Sequence, residues 1–225
     1  MERIKNNIHS VVPAKAGTQK KKNLDSRMRG NDRIVNILKS GGVGIFPTDT
    51  IYGVLGSALA PKTIARIYHL RKRNLKKPMI VLVASVEDVG QFGLMPDAAT
   101  KKILVHVWPG KVSVILPISP RRKSELKRFR YLHRGTGAFA FRIPKSAWLR
   151  KLLQETGPLV APSANFEGEP PALTIRAAKK YFGENVDFYI NVGRLASRPS
   201  TLIKIEKGKV MILREGAAKI NSKFL

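Results

Sequence analysis

The sequence predicts a single α/β domain built on a mixed β-sheet. Segments with helical spacing of apolar residues alternate with short apolar runs from residue 34 onward, a pattern typical of helices packed on a sheet. Near the C-terminus, two apolar runs flank Lys207-Gly208, a turn that favours a hairpin. The chain has 225 residues, of which 43% are hydrophobic, and this is enough to bury one core.

The N-terminal half of the domain is predicted from three signals. Gly41-Gly42 ends a helix, because glycine is favoured just after a helix C-terminus. Pro61 opens another helix, since proline fits the first helical turn, and the apolar run Met79–Ala84 predicts a buried strand. The predicted order is a helix around 34–38, a strand over 43–46, a loop over 48–60, a helix from 61, a strand over 79–84, and helices over 85–92 and 98–107.

The C-terminal half contains a strongly basic block over residues 121–134, with seven Lys/Arg and one Glu. Such a charge run is typical of a mobile, solvated loop. Around it the apolar patterns predict strands over 112–116 and 138–143, a helix over 147–153, a strand over 159–161, a helix over 174–182, a strand over 188–190, and a hairpin from strands over 202–206 and 209–213.

Domain boundaries follow from the charge pattern at the N-terminus. Residues 1–33 carry nine Lys/Arg and three acidic residues with little apolar periodicity. Residues 1–30 are therefore predicted to be a basic, disordered leader, and 31–220 the folded domain. The segments 12–19 and 24–32 resemble translated intergenic palindromic repeats of bacterial genomes, which implies that the leader is an extension without a function of its own.

Composition excludes several classes of protein. The absence of cysteine removes disulfides, thiolate nucleophiles and zinc fingers. No apolar run approaches the roughly 20 residues of a membrane helix, and the N-terminus does not form a signal peptide, so we expect a cytoplasmic protein without membrane contact. The formal net charge of +27 predicts polyanionic partners such as nucleic acid or nucleotide phosphates.

The familiar signatures of covalent or metal catalysis do not occur. There is no nucleophile elbow, no Walker A sequence and no zinc-protease motif. The four histidines are dispersed along the chain without ligand spacing. We expect them to be structural or superficial, and we expect no metal bound by protein side chains.

Three polar segments are candidates for a functional site. Pro47–Gly53 brings two hydroxyls, a carboxylate and a phenol to the end of a strand, where α/β sheets commonly bind ligands; an Asx or Ser/Thr turn would explain the same residues. Arg71–Arg73 and Lys76-Lys77 place five cations near a helix C-terminus, either to clamp phosphate or only to meet the helix dipole. Ala161–Asn165 ends a strand in a hydroxyl and an amide, which also suit a helix N-cap.

The order of these segments forms a pattern that no single segment shows. Pro-Thr-Asp-Thr-x-Tyr-Gly at 47–53 is followed by Arg73, by Phe-Arg-Ile-Pro at 141–144, by Pro-Ser-Ala-Asn at 162–165, by Ser200-Thr201 and by Leu-Arg-Glu-Gly at 213–216. This pattern resembles the YrdC/Sua5 family over about residues 34–217. The resemblance implies a YrdC-like single domain, in which a twisted mixed sheet with flanking helices forms a basic cleft.

The resemblance also implies roles for individual residues. The catalytic contacts fall on Arg71 and Arg73. L-Threonine binding falls on Thr50, Arg142, Ser163 and Thr201. ATP binding falls on Arg73, Lys77, Asn165, Thr174 and Arg214. The chain departs from the family pattern where Arg71 replaces a lysine, Asn74 a proline, Lys77 an asparagine and Ala138 a hydroxyl residue.

Members of this family make threonylcarbamoyl-AMP and pyrophosphate from L-threonine, bicarbonate and ATP, for N6-threonylcarbamoyladenosine in tRNA. The resemblance thus implies an L-threonylcarbamoyladenylate synthase, a nucleotidyltransferase that uses ATP with Mg²⁺ and supplies tRNA-modifying transferase proteins. The alternative is a module of the same fold that binds double-stranded RNA, tRNA or ribosomal RNA through its basic surface without turnover. A carbamoyl-transfer accessory of the hydrogenase-maturation type is disfavoured, because the zinc-finger and acylphosphatase regions of those larger proteins are not found.

Overall fold

The computed structural model describes residues 10–13, 26–119, 121–206 and 208–220. The strands are β1 Ser10–Pro13, β2 Gly44–Pro47, β3 Tyr52–Ser57, β4 Ile80–Leu82, β5 Val112–Pro117, β6 Ala138–Arg142, β7 Leu159–Val160, β8 Phe188–Asn191, β9 Thr201–Glu206 and β10 Lys209–Arg214. The helices are α1 Ser26–Lys39, α2 Pro61–Leu70, α3 Ala98–Val107, α4 Lys123–Arg128, α5 Arg130–His133, α6 Ala147–Thr156 and α7 Ile175–Phe182, and Glu87–Phe92 is a 3₁₀-helix.

The described strands form one sheet in the order β1-β8-β2-β3-β7-β4-β6-β5-β9-β10. The neighbours β2/β8, β4/β6 and β5/β9 are parallel, and the other neighbouring pairs are antiparallel. The predicted α/β class with a mixed sheet is therefore confirmed. The predicted hairpin is also present, with Val210 of β10 opposite Ile205 of β9.

Helices cover both faces of the β2/β3 region, because successive strand residues point to opposite sides. Ile45 belongs to the larger core cluster, with residues from α2, α3 and α7. Its neighbour Phe46 belongs to a smaller cluster, with residues from α1 and α6. The two clusters hold the middle of the sheet between two layers of helices. Polar residues for a site are therefore expected on the loops at the strand ends.

The prediction of a loop over residues 48–60 is wrong for its second half, which forms β3. Gly53 and Gly56 weaken the local preference for a strand. In the structure a Cβ at Gly56 would lie 2.5 Å from Cγ2 of Thr63 in α2, so glycine permits close packing of the helix on the strand. Tertiary packing thus overrides the local preference.

The basic block 121–134 is also not the predicted solvated loop, because it forms α4 and α5. Phe129 and Leu132 within the block are buried in the larger core cluster, and the hydroxyl of Tyr131 donates to the carbonyl of Ala58 at 3.0 Å. Phe129 and Leu132 lie three residues apart, close to one helical turn. The block is amphipathic, and its many charged residues made it look like a solvated loop.

The N-terminal boundary differs from the expectation in two places. β1 lies inside the predicted leader and pairs with the backbone of β8, with Val11 opposite Ile190. α1 begins at Ser26, before the predicted boundary at residue 31. The unpaired backbone groups of an edge strand explain why β8 accepts such a partner. The rest of the predicted leader lies outside the described residues.

Candidate functional site

The largest concentration of predicted site residues surrounds a cavity of about 390 Å³, here called the main cavity. Its floor is the sheet itself, where Ile80, Ile115 and Ala140 sit side by side on β4, β5 and β6, with Leu202 of β9 alongside. The walls are the loops after β2, α2 and β7 and the ends of β9 and β10. A pocket of this size suits a small organic ligand.

The loop after β2 is fixed by its own hydroxyl groups. The Thr48 Oγ1 donates to the carbonyl of Ile51 at 2.6 Å and accepts from the Ile51 N–H at 3.2 Å. The Thr50 Oγ1 lies 3.0 Å from the Thr48 Oγ1. This closed turn holds the buried Thr50 hydroxyl at the cavity wall. The segment 47–53 therefore forms a Ser/Thr turn and also contributes to the candidate site.

Arg142, at the end of β6, is buried beside this loop. Its Nη1 donates to the Thr50 Oγ1 at 3.3 Å, and its Nη2 forms an ion pair with Oδ1 of Asp49 at 3.2 Å. Its Nε is buried without a hydrogen-bond partner. Burial lowers the pKa of Arg142; Asp49 opposes this shift and nearby Arg214 adds to it. Arg142 therefore lines the main cavity and keeps one N–H that no protein group accepts.

Arg71 occupies a different environment at the end of α2. Its Nε donates to the Ser163 carbonyl at 2.7 Å, and its Nη2 donates to the Ser163 Oγ at 3.1 Å and to the Asn165 Oδ1 at 3.2 Å. Its Nη1 is buried without a partner. Burial, followed by repulsion from Arg73, lowers the pKa of Arg71 to about 10, so the guanidinium is charged at neutral pH.

Arg73 and Arg214 complete the cationic lining. The Arg73 Nη2 donates to the carbonyl of Pro78 at 2.8 Å, which aligns the side chain along the loop after α2. The Arg214 Nη2 donates to the carbonyl of Ser200 at 2.8 Å, and burial lowers its pKa. Backbone carbonyls thus orient both guanidinium groups without cancelling their charge.

Six of the predicted site residues meet at the main cavity. They are Thr50, Arg71, Arg73, Arg142, Ser163 and Arg214. Asn165 lies just behind the wall, where its amide nitrogen donates to the carbonyls of Phe166 and Glu169, both at 2.7 Å. Thr201 is fully buried, and its hydroxyl donates to the carbonyl of Ala218. Both residues support the cavity rather than line it.

Lys77 and Thr174 are not brought to the main cavity. The Lys77 Nζ forms an ion pair with Glu167 at 2.5 Å, and its side chain is 60% exposed. Thr174 caps the N-terminus of α7, accepting from the Ala177 N–H at 3.1 Å. It lines a separate cavity with Arg176 and Tyr189.

Thr48, Thr136 and Ser200 also line the main cavity, although the sequence pattern gave none of the three a specific ligand of its own. Thr48 stands inside the motif at 47–53 and Ser200 inside the Ser200-Thr201 pair, so the motifs contained the signal. Thr136 lies on the loop before β6, and its hydroxyl donates to the carbonyl of His133 at 2.7 Å. No motif contains Thr136, so its place at the cavity became evident only from the conformation of this loop.

Within the described part of the chain, four guanidinium groups and no carboxylate line the main cavity. Together with the hydroxyl groups, they define an α/β protein with a cationic cavity whose lining suits a small anionic ligand. The family model Sua5_yciO_yrdC, described as "Telomere recombination", matches residues 36–216. The chain belongs to the Sua5/YciO/YrdC family.

Comparison with individual proteins agrees with this assignment. The threonylcarbamoyl-AMP synthase of Marinobacter nauticus is 33% identical over 175 residues, covering 76% of this chain and 88% of the relative. The structure of Pyrococcus abyssi Sua5 complexed with L-threonine matches with a TM-score of 0.74 at 25% identity, covering 84% of this chain and 54% of that one. E. coli YciO matches in fold, with a TM-score of 0.74 at 21% identity over 90% of this chain and 95% of that one.

This chain spans about half the length of that Sua5 structure. Among the described helices, none is long and apolar enough to cross a membrane.

Proposed function

We propose that the protein is an L-threonylcarbamoyladenylate synthase that joins L-threonine, bicarbonate and ATP. The observation that carries the proposal is the convergence of four guanidinium groups on one cavity, two of which, in Arg71 and Arg142, retain a buried N–H without a partner. Such fixed, unused donors suit an anionic substrate and a reaction that develops negative charge. Family membership and the named relative support the same activity.

Threonine binds at the Arg142 end of the cavity. Its carboxylate meets the guanidinium of Arg142, a geometry that favours charge-assisted hydrogen bonds. Thr50 and Ser163 supply hydroxyl groups to the polar parts of the substrate from the loops after β2 and β7. The only carboxylate that pairs with Arg142 in the described chain is Asp49, so the arginine is partly neutralised but not saturated.

ATP enters as its Mg²⁺ complex, and the metal ion belongs to the substrate. Arg71, Arg73 and Arg214 face its phosphates, while the apolar floor of the sheet accepts the base. Thr201 and Asn165 act behind this surface, since their hydrogen bonds hold the walls in place. Lys77 and Thr174 have no part in this binding mode.

The chemistry requires alignment more than a protein nucleophile. The amino group of threonine takes the carbon of bicarbonate with loss of water and becomes an N-carboxylate. One oxygen of that carboxylate attacks the α-phosphorus of ATP, the bond to the bridging oxygen breaks, and pyrophosphate leaves with the electron pair. Fixed cations stabilise the charge on the phosphate, and a shared cavity supplies proximity.

The substitution of lysine by Arg71 fits this chemistry. The planar guanidinium bonds the Ser163 loop through Nε and Nη2 and still leaves Nη1 without a protein partner. A lysine would offer a single ammonium to the same acceptors. At Ala138 the family hydroxyl is absent, and Thr136 places a hydroxyl on the same cavity.

The labile adenylate must then pass to proteins that transfer the threonylcarbamoyl group to an adenosine of tRNA in the cytoplasm. The basic surface fits such an encounter with RNA, because cations release counterions from phosphates. The RNA-binding module without turnover is the rival function, and it requires no cavity lined by unpartnered donors.

The deciding measurement is pyrophosphate release from ATP and Mg²⁺, with threonine and bicarbonate each omitted in turn. We expect release only when both are present. Arg73→Ala should lower this rate at least about 100-fold, as expected for removal of one charge-stabilising group, with the thermal midpoint little changed. Release that ignores threonine, or binding of RNA by a folded protein without any release, would refute the synthase.

A further inference from the structure

A second cavity, of about 570 Å³, adjoins the main cavity and is here called the outer groove. Its lining residues are Ala65, Tyr68, His69, Lys72, Arg73, Leu75 and Arg134. Three of these lining residues, Lys72, Arg73 and Arg134, are cationic. Among the described residues, no Asp or Glu lines the groove. Arg73 lines both cavities, so the two spaces share one cationic residue.

Two cations of the outer groove stand on unusual backbone. Apart from glycines, the described residues with positive φ are Lys72, at 48°, and Arg134, at 54°. Lys72 follows the end of α2, and its N–H donates to the His69 carbonyl at 3.0 Å, while the Arg73 N–H donates to the Tyr68 carbonyl at 3.0 Å. This is the Schellman arrangement, in which glycine is the usual residue. Both exceptions therefore place a cation in the same groove.

Aromatic rings hold these two side chains in position. The Arg134 guanidinium lies 4.0 Å from the centroid of the Tyr68 ring, and the Lys72 Nζ lies 4.3 Å from the centroid of the Phe166 ring. A ring face attracts a cation without accepting its N–H groups as a carboxylate would. The Nε of Arg134 is moreover buried without a hydrogen-bond partner. The groove thus holds two cations whose positions are fixed by aromatic rings.

We propose that the outer groove binds the pyrophosphate product as it leaves the main cavity, an inference that rests on the proposed function for the origin of this ligand. When the α-phosphorus–oxygen bond breaks, the new charge appears on pyrophosphate, and Arg73 is the cation common to both spaces. Lys72 and Arg134 then receive a compact, multiply charged anion. A single groove with three permanent cations matches that ligand better than an extended nucleic acid, which needs contacts along a longer surface.

The positive φ angles of Lys72 and Arg134 allow a test variant that should leave the fold intact. Lys72→Gly combined with Arg134→Gly removes both cations while it places glycine where positive φ favours it. The fold should therefore survive. Lys151→Gln combined with Lys180→Gln is the matched control, since it removes the same charge from exposed helical positions outside the groove.

Binding of pyrophosphate to the full chain is measured by calorimetry without threonine or ATP. We expect the groove variant to bind at least tenfold more weakly, and the control variant to stay within about twofold of the parent protein. In turnover, inhibition by added pyrophosphate should weaken by a similar factor in the groove variant. Tight pyrophosphate binding in a protein without threonine-dependent turnover would refute the proposed function and retain the groove as a diphosphate site.

Three results would overturn the inference. Unchanged affinity in the groove variant would show that pyrophosphate does not use Lys72 and Arg134. Loss of binding only in Arg214→Gln would place the ligand in the main cavity. Weaker binding of a short RNA duplex, with pyrophosphate affinity unaffected, would make the groove a nucleic-acid contact instead.

Discussion

Arg71 and Arg142 are both buried arginines on the wall of one cavity, yet their surroundings differ. Arg71 gives three hydrogen bonds to neutral acceptors on Ser163 and Asn165. Arg142 has a buried carboxylate at 3.2 Å and one hydroxyl at 3.3 Å, with its Nε unpartnered. Each arginine keeps one buried N–H without a partner, but Arg71 is held by neutral acceptors on the loop after β7, whereas Arg142 is held chiefly by a carboxylate.

The largest effect is expected for Arg142→Met, which tests whether Arg142 binds the substrate. We expect threonine-dependent pyrophosphate release to fall about 100-fold or more, and unfolding in urea to show a loss of about 3 kcal/mol, because Asp49 is left buried without its counter-charge. Adding Asp49→Asn should restore part of the stability and none of the activity. Recovery of activity in the double variant would contradict the role of Arg142 in binding.

At Arg71 the loss of stability should outweigh the loss of activity. Arg71→Met is expected to lose about 3 kcal/mol of stability, since the acceptors on Ser163 and Asn165 lose a charged donor, and a rise in KM for ATP should accompany the loss. Arg71→Lys retains the charge and should lose about half as much stability. If chemical denaturation shows both variants as stable as the parent protein, Arg71 does not hold the loop.

Thr174→Ala tests whether the nucleotide site extends beyond the main cavity to the start of α7. Because Thr174 caps α7 and lines a separate cavity, we expect a loss of about 1 kcal/mol in stability and an unchanged KM for ATP. Thr174→Ser should behave as the parent protein. A raised KM in the alanine variant alone would return this residue to the nucleotide site.

The smallest effect is expected at Glu167, which anchors the loop after Arg73. Hydrogen bonds from Lys77 and Asn74 lower the pKa of Glu167 below its usual 4.5. Its stabilising contribution is therefore present above pH 4.5 and is lost as the pH falls through the lowered pKa. Glu167→Gln should flatten the fall of the thermal midpoint on acidification below pH 4.5, and an identical acid profile would remove this anchor.

Much of the site could be predicted because its motifs lie at the ends of elements with clear signals. Proline and glycine bracket the loop at 47–53, and the strands before Arg142 and Ser163 are apolar runs. The errors fall where contacts distant in sequence decide. Gly56 is compatible with a strand only because α2 packs closely against it, and the basic block is helical because Phe129 and Leu132 reach the core.

The α/β class and the order of most elements could be predicted from local patterns, since periodicity and turn residues act over a few positions. Which motif residues meet depends on the tertiary structure. It brought Thr50, Arg142 and Arg214 to one cavity and turned Thr174 to another. Strand order and register set these distances, and both depend on the summed packing of the whole sheet rather than on any one segment.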